Sequence, residues 1–265
     1  MTIGICATSV EMLALLSFFR PLHYHFVVYL DLNEGFLGDK TYDDSFLALQ
    51  KAVDFLSDKC DKIIVPPVYE FGFSSSEKIL PLFQSYLKEY CFGQSIVWKL
   101  GFLAEYADVE QIENHINHFS KNFSLTTAQK NTKKFHFPWA LWIKKVPLRK
   151  YFSLHLWNQN PSVVKLIKND LKYFKDASID TLIPLNYSFF LYQKTISSYF
   201  ATSKKYKFHD SKVLVSLLQS LLPSSEKNSQ LTIYYSGNLQ PILDQKKRMR
   251  ILSRWNTVTV NRKKI

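Results

Sequence analysis

Two short stretches, one in each half of the chain, carry the same order of residues and constrain the fold more than anything else in it. The first is Asp61-Lys62-Ile63-Ile64-Val65-Pro66-Pro67-Val68-Tyr69, the second Asp180-Thr181-Leu182-Ile183-Pro184-Leu185-Asn186-Tyr187-Ser188. In each, an Asp precedes a short β-branched or apolar run, a Pro ends the run, and a Tyr lies in the turn that follows. β-Branched residues suit a pleated, buried strand, and proline, which has no N–H, ends one. In an α/β protein ligands bind beyond the carboxyl ends of the strands, so both turns are expected at a common cleft. Neither turn carries a thiol, an imidazole or a carboxylate at its centre.

The rest of the chain alternates in kind. Ile3 to Ala7 and His25 to Leu30 read as buried strands, Val10 to Phe19 as a helix. Asp44 to Lys59 has helical spacing, with Phe46, Leu49, Val53 and Leu56 on one face. Lys62 to Val65 is a strand, Glu77 to Tyr90 a helix and Ser95 to Leu100 a strand, and after Gly101 the pattern restarts. Val109 to Phe119 is helical, Phe123 to Thr126 a strand, Pro161 to Phe174 an amphipathic helix and Thr181 to Ile183 a strand. A helix through Phe190 to Phe200, a helix from Ser211 to Leu222, a strand from Leu231 to Tyr235 and a basic helix from Gln240 to Leu252 complete it. The expected fold is α/β: two lobes of parallel sheet flanked by helices, the first made of 1–97 plus 208–265, the second of 98–207, with a cleft between them.

Composition narrows the function classes. Only 7 glycines occur in 265 residues and no G-x-G-x-x-G or Walker pattern exists, which argues against dinucleotide and P-loop nucleotide binding. Cys6, Cys60 and Cys91 show no C-x-x-C spacing and leave an odd thiol, which suits a reducing cytosol; the expected location is cytoplasmic. The apolar stretch Ile3 to Phe19 is interrupted by Glu11 and reads as strand plus helix, not as a leader or membrane span. His115 and His118 sit at i and i+3, but without further ligands they read as a solvated helix face, and no metal or cofactor is expected.

With these elements placed, the chain resembles the glutamate racemase branch of the aspartate/glutamate racemase superfamily. Ile3-Gly4-Ile5-Cys6-Ala7-Thr8 resembles the opening strand I-G-V-F-D-S. Tyr29-Leu30-Asp31 and Leu37-Gly38-Asp39-Lys40-Thr41 resemble Y-F-G-D and Y-G-E-K-S. Ile179 to Ile183 resembles the strand before G-C-T-H-Y-P, His209-Asp210-Ser211 a late I-D-S, and Tyr234 to Asn238 the final F-Y-V-T-G-D. Asp and Ser before helices, as at Asp210 and Ser211, are also ordinary helix caps.

The departures fall on chemistry. Racemases of this family work with two cysteines on opposite faces of the substrate Cα. The first of those positions falls on Pro67, followed by Val68 and Tyr69. The second falls on Asn186, followed by Tyr187 and Ser188. The family's opening aspartate falls on Ala7, its serine on Thr8, and an expected arginine falls near Glu34. Proline and asparagine cannot take up an α-proton, and a positioned base is worth ~10²–10⁴-fold in rate. Cys6 should point to the other face of its strand, and Cys60 lies at the far end of the next.

The leading expectation is therefore a glutamate racemase-like protein without racemase activity, a pseudoenzyme with a binding or regulatory role. Its vestigial pocket would be Thr8, Asp31, Glu34, Val68, Tyr69, Tyr187 and Ser188, able to take a small carboxylate ligand. An alternative is a divergent isomerase or lyase with a rebuilt pocket using Asp31, Glu34, Tyr69, Tyr187 and Ser188. A third reading starts from the net charge of +12. Lys246, Lys247, Arg248 and Arg250, with Arg254, Trp255 and Arg262-Lys263-Lys264 beyond them, would bind nucleic acid or an acidic protein. Against it stands a solvated helix with a frayed terminus, dispensable to folding after Leu252. The resemblance also implies a homodimer.

Overall fold

The computed structural model describes residues 1–31, 41–88, 99–104, 114–115, 118, 140–145, 161–201, 207–223, 229–237, 252, 255 and 257–262. Two parallel sheets organise them. The first contains β1 (Thr2–Cys6), β2 (His25–Asp31), β3 (Lys62–Ile64), β8 (Gln230–Ser236) and β9 (Thr257–Arg262), in the order β3-β1-β2-β8-β9. The second contains β4 (Lys99–Ala104), β5 (Ala140–Lys145), β6 (Thr181–Pro184) and β7 (Lys207–Phe208), in the order β5-β4-β6-β7. Every pairing is parallel. Parallel strands need crossovers, and helices supply them: α1 (Ser9–Phe19), α2 (Tyr42–Ser57), α3 (Leu82–Tyr86), α4 (Pro161–Asp176), α5 (Gln193–Phe200) and α6 (Ser211–Leu221).

Local chemistry explains where these helices begin and which way they face. Thr8 caps α1 in a capping box with Glu11, Thr41 caps α2, and Asp210 caps α6 through Lys212 N and Val213 N. α4 is amphipathic: Ile167, Leu171 and Phe174 are buried while Lys165, Lys168 and Lys172 are exposed. α1 is different, because Glu11 to Leu16 are all buried, as in a helix enclosed on all sides. It packs against the turn Tyr187–Tyr192 and against α6, so it lies between the first sheet and the second lobe. The main apolar core runs through this contact, from Ile3 and Ile5 across to Ile183, Tyr187 and Phe190.

Several expected boundaries are corrected. The helix expected from Glu77 to Tyr90 starts only at Leu82, because Pro81 is its N-cap and Ile79 instead bridges to Ile63; residues 89–90 lie outside the described residues. The strand expected at Ser95 to Leu100 runs from Lys99 to Ala104, straight through Gly101. Gly101 is no break. A Cβ there would meet Ile179 Cδ1 at 2.6 Å and Phe174 Cδ1 at 2.8 Å, so the glycine lets α4 settle onto β4. β5, β7 and β9 were not expected. Among the described strands β9 is at an edge, with Val258 and Val260 exposed, and it ends at Arg262; a charge at such an edge discourages another strand from adding. Trp255, just before it, is buried against Phe26 with ring centroids 5.6 Å apart. Thr257–Arg262 is therefore part of the sheet, and a cut after Leu252 would remove this strand and a core tryptophan. The expected elements Phe123 to Thr126 and Gln240 to Leu252 lie outside the described residues, apart from Leu252, which is buried.

Candidate functional site

The two matching junctions meet at the interface of the lobes. β3 leaves the sheet at Ile64, and Val65-Pro66 lead into a 3-10 turn, Pro67–Phe73. β6 leaves its sheet at Pro184, and Leu185-Asn186 lead into the turn Tyr187–Tyr192. Both turns are buried where the two lobes face each other. Val68, Tyr69, Glu70, Asn186, Tyr187 and Ser188 are each at most 2% exposed.

Tyr187 makes the connection. Its Oη donates to the Val65 carbonyl at 3.1 Å and its backbone N–H donates to Glu11 Oε1 at 3.2 Å, both across the interface. Glu11 Oε2 accepts from Thr8 N at 3.2 Å and from Thr8 Oγ1 at 3.1 Å. One buried carboxylate thus caps α1 with one oxygen and holds the second lobe with the other. Burial, with Glu70 and Glu11 nearby, pushes the Tyr187 phenol well up, which keeps it a donor.

Tyr69 packs inside the first lobe, stacked on Tyr42 at 5.0 Å and 27°, with the fully buried Ser45 beside its hydroxyl. Burial raises both phenols, Tyr42 to about 12. Glu70, the next residue, is buried too. Its Oε1 and Oε2 both accept from Phe83 N at 2.8 Å, and Oε2 also from Gln84 N at 3.2 Å. It therefore serves as the cap that Pro81 cannot provide for α3. Burial lifts its carboxyl to about 8, an effect only partly offset by those N–H groups.

A cavity of about 40 Å³ remains beside Tyr187, between β6, α3 and α6. Pro67, Ile183, Pro184 and Phe190 line it, together with His209 and Asp210. Burial lowers the His209 imidazole to about 3, so it is neutral, and its ring meets Tyr86 edge-on at 3.9 Å.

Pro67 and Tyr187 line one cavity, Thr8 is linked to Tyr187 through Glu11, Val68, Tyr69, Asn186 and Ser188 are buried in or beside the two turns, and Ala7 is partly buried against the core. Asp31 ends β2, but its side chain, Glu34 and Lys40 lie outside the described residues, as do Lys246, Lys247, Arg248 and Arg250. His115 departs from the expected solvated face: it is half-buried, 5.5 Å from the Tyr42 ring and 5.6 Å from Phe71, while His118 is exposed. Among the described residues no group of His, Cys, Asp and Glu could hold a metal ion, and no helix is long and apolar enough to cross a membrane. Cys6 and Cys60 are free and buried, with both thiols raised by burial, Cys60 to about 12. Neither is a nucleophile at neutral pH.

Glu11 and Glu70 were not foreseen as site residues. Glu11 was within reach, since Thr8-Ser9-Val10-Glu11 has the spacing of a capping box. Glu70 carried no such mark, because the N–H groups it caps lie 13 and 14 residues further on.

No protein-family model matches the chain, and no curated protein matches it. Solved structures do. A glutamate racemase isoform from Bacillus anthracis superposes with a TM-score of 0.70 at 13% identity, covering 100% of this chain and 97% of that one. A Francisella tularensis glutamate racemase in complex with D-glutamate gives 0.65 at 14%, covering 98% and 96%. The Escherichia coli glutamate racemase in complex with L-glutamate and the activator UDP-MurNAc-ala gives 0.61 at 12%, covering 98% of each. The chain has the glutamate racemase fold over its whole length.

Proposed function

We propose that this chain is a catalytically silent protein on the glutamate racemase fold, with lobes at 1–97 plus 208–265 and 98–207 and a binding or regulatory role, its interlobe junction closed to glutamate. One observation carries the reading. Where the resemblance places two opposed thiols stand Pro67 and Asn186, both buried, and Tyr187 fills the space between the lobes and ties them together. The opening aspartate is replaced by Ala7, which cannot take or give a proton. Thr8, Val68, Tyr69, Tyr187 and Ser188 are the remnant of a pocket, now core, to which Asp31 and Glu34 belong by resemblance.

A divergent isomerase or lyase would need convergent polar groups facing an open cleft. The two carboxylates at the junction are instead taken up as acceptors, Glu11 from Thr8 and Tyr187, Glu70 from Phe83 and Gln84. The charge of Lys246, Lys247, Arg248 and Arg250 supports a second role in binding nucleic acid or an acidic protein, and the buried free thiols suit a cytoplasmic setting. Solved racemases hold D- or L-glutamate in their complexes. Here Pro66 and Pro67 supply no N–H to a carboxylate. Calorimetric titration of the protein with D- or L-glutamate is expected to give no saturable heat; a saturating isotherm with a stoichiometry near one would overturn the closed-pocket reading.

A further inference from the structure

α4 presents a surface that the packing of the second lobe does not use. Lys165, Lys168, Lys172 and Lys175 follow one another at helical intervals, so they form one row along the helix, and all four are exposed. Leu166 and Tyr173 stand two turns apart and form a second row, 44% and 42% exposed. Each follows a lysine by one position, which sets the two rows about 100° apart around the axis. Packing takes up the other side of the helix, where Ile167, Leu171 and Phe174 are buried in the core of the second lobe. Two side chains in these rows are held by aromatic contacts. The Tyr173 ring meets Phe174 edge-on at 5.3 Å, and Lys175 Nζ lies 5.2 Å from the ring centre of Tyr199 on α5. Of the two aspartates of α4, Asp170 is half-buried beyond the apolar row, and Asp176 lies at the end of the helix, one turn past Lys172. The lysine row therefore keeps a net positive charge.

A row of cations matches a row of phosphates, and an exposed aromatic ring matches the face of a base. The two rows run side by side, as the backbone and the bases of a single strand do. A duplex would meet the lysines but keep its base faces stacked away from Tyr173. A lipid surface would suit apolar side chains with cations on both flanks, and here the cations stand on one flank only. We infer that the outer face of α4 binds single-stranded nucleic acid, with phosphates along Lys165, Lys168, Lys172 and Lys175 and a base against Tyr173. This surface involves neither the interlobe junction nor Lys246, Lys247, Arg248 and Arg250. It stands whether or not the chain is catalytically silent.

The test is fluorescence anisotropy of labelled oligothymidylate titrated with the full chain at salt concentrations from ~50 to ~200 mM. The logarithm of affinity is expected to fall against the logarithm of salt with a slope of magnitude about 3 or more, about 0.7 for each of four phosphate contacts. Lys168→Gln/Lys172→Gln should reduce that magnitude by about 1.4. Tyr173→Ala should weaken binding by about tenfold and leave the slope unchanged, whereas Tyr173→Phe, which keeps the ring, should bind as wild type does. These side chains are exposed, so the variants are expected to fold. A variant with Lys246, Lys247, Arg248 and Arg250 all changed to Gln separates the two basic surfaces: the losses caused by the α4 substitutions should persist in it. No salt-dependent binding, an unchanged slope in Lys168→Gln/Lys172→Gln, or an unchanged affinity in Tyr173→Ala would each overturn the site. Tighter binding to the matching duplex or to phosphatidylserine vesicles than to the single strand would overturn it too.

Discussion

Tyr187→Ala is expected to destabilise the protein by about 3–5 kcal/mol, the cost of deleting a fully buried aromatic side chain and leaving the cavity unfilled. Tyr187 is 2% exposed, and its ring lies 6.0 Å from that of Phe190 within the core that joins the lobes. Tyr187→Phe separates packing from the hydrogen bond. It keeps the ring and the N–H to Glu11 but leaves the buried Val65 carbonyl without the phenol, a loss of about 1–3 kcal/mol. Denaturant unfolding of the two variants beside wild type reads both quantities. If Tyr187→Phe were as stable as wild type, the phenol would be a filler and not a tie between the lobes.

Glu70 should make the protein lose stability as the pH rises. Its folded carboxyl titrates at about 8 against an ordinary value of 4.5. Below pH 4.5 it is protonated folded or unfolded and contributes no pH dependence. Between 4.5 and 8 the unfolded chain releases its proton while the folded one keeps it, so stability falls through that window and levels above it. The total is on the order of a few kcal/mol. His209 acts in the opposite sense at lower pH: its imidazole is depressed to about 3, so its contribution is present above 6.5 and is lost as the pH falls. Glu70→Gln removes one titration and leaves the other. The difference between the wild-type and Glu70→Gln stability curves should therefore shrink toward acid and grow toward pH 8, in favour of the variant. Parallel curves from pH 5 to pH 8 would show that the burial of Glu70 does not govern its titration.

The fold was legible where one physical signal dominated. α2, α4 and α6 have apolar residues at helical spacing, α2 and α6 behind a capping side chain, β1 and β2 are buried runs, and β8 alternates, with Leu231 and Ile233 turned inward. The signal failed where two effects competed. Thr257-Val258-Thr259-Val260 alternates β-branched residues, yet the lysines and arginines around it drew attention to charge, and a mostly exposed edge strand buries too little to announce itself. β5 is a six-residue strand with two lysines at its end, and no turn chemistry marks its start. Gly101 looked like a boundary because glycine weakens strands, whereas here it admits a close approach by Phe174 and Ile179.

The site was legible in outline. The two proline-bounded junctions marked Pro67, Asn186 and Tyr187 as residues leaving the carboxyl end of a strand, each in its own parallel sheet. What fills the interface between the lobes was not legible. The bond from Tyr187 to Glu11 spans 176 residues and the bond to Val65 spans 122, distances over which no local pattern operates.

The central claim is that the chain does not move a proton at an amino-acid Cα. The direct measurement is incubation with D- or L-glutamate or aspartate in D₂O, following the Cα proton by NMR and the enantiomer ratio by chiral separation. The account predicts no deuterium at Cα above a protein-free control, for wild type and equally for Pro67→Cys/Asn186→Cys, because Ala7 and the closed pocket remain. Incorporation by the wild-type chain above that control would contradict it.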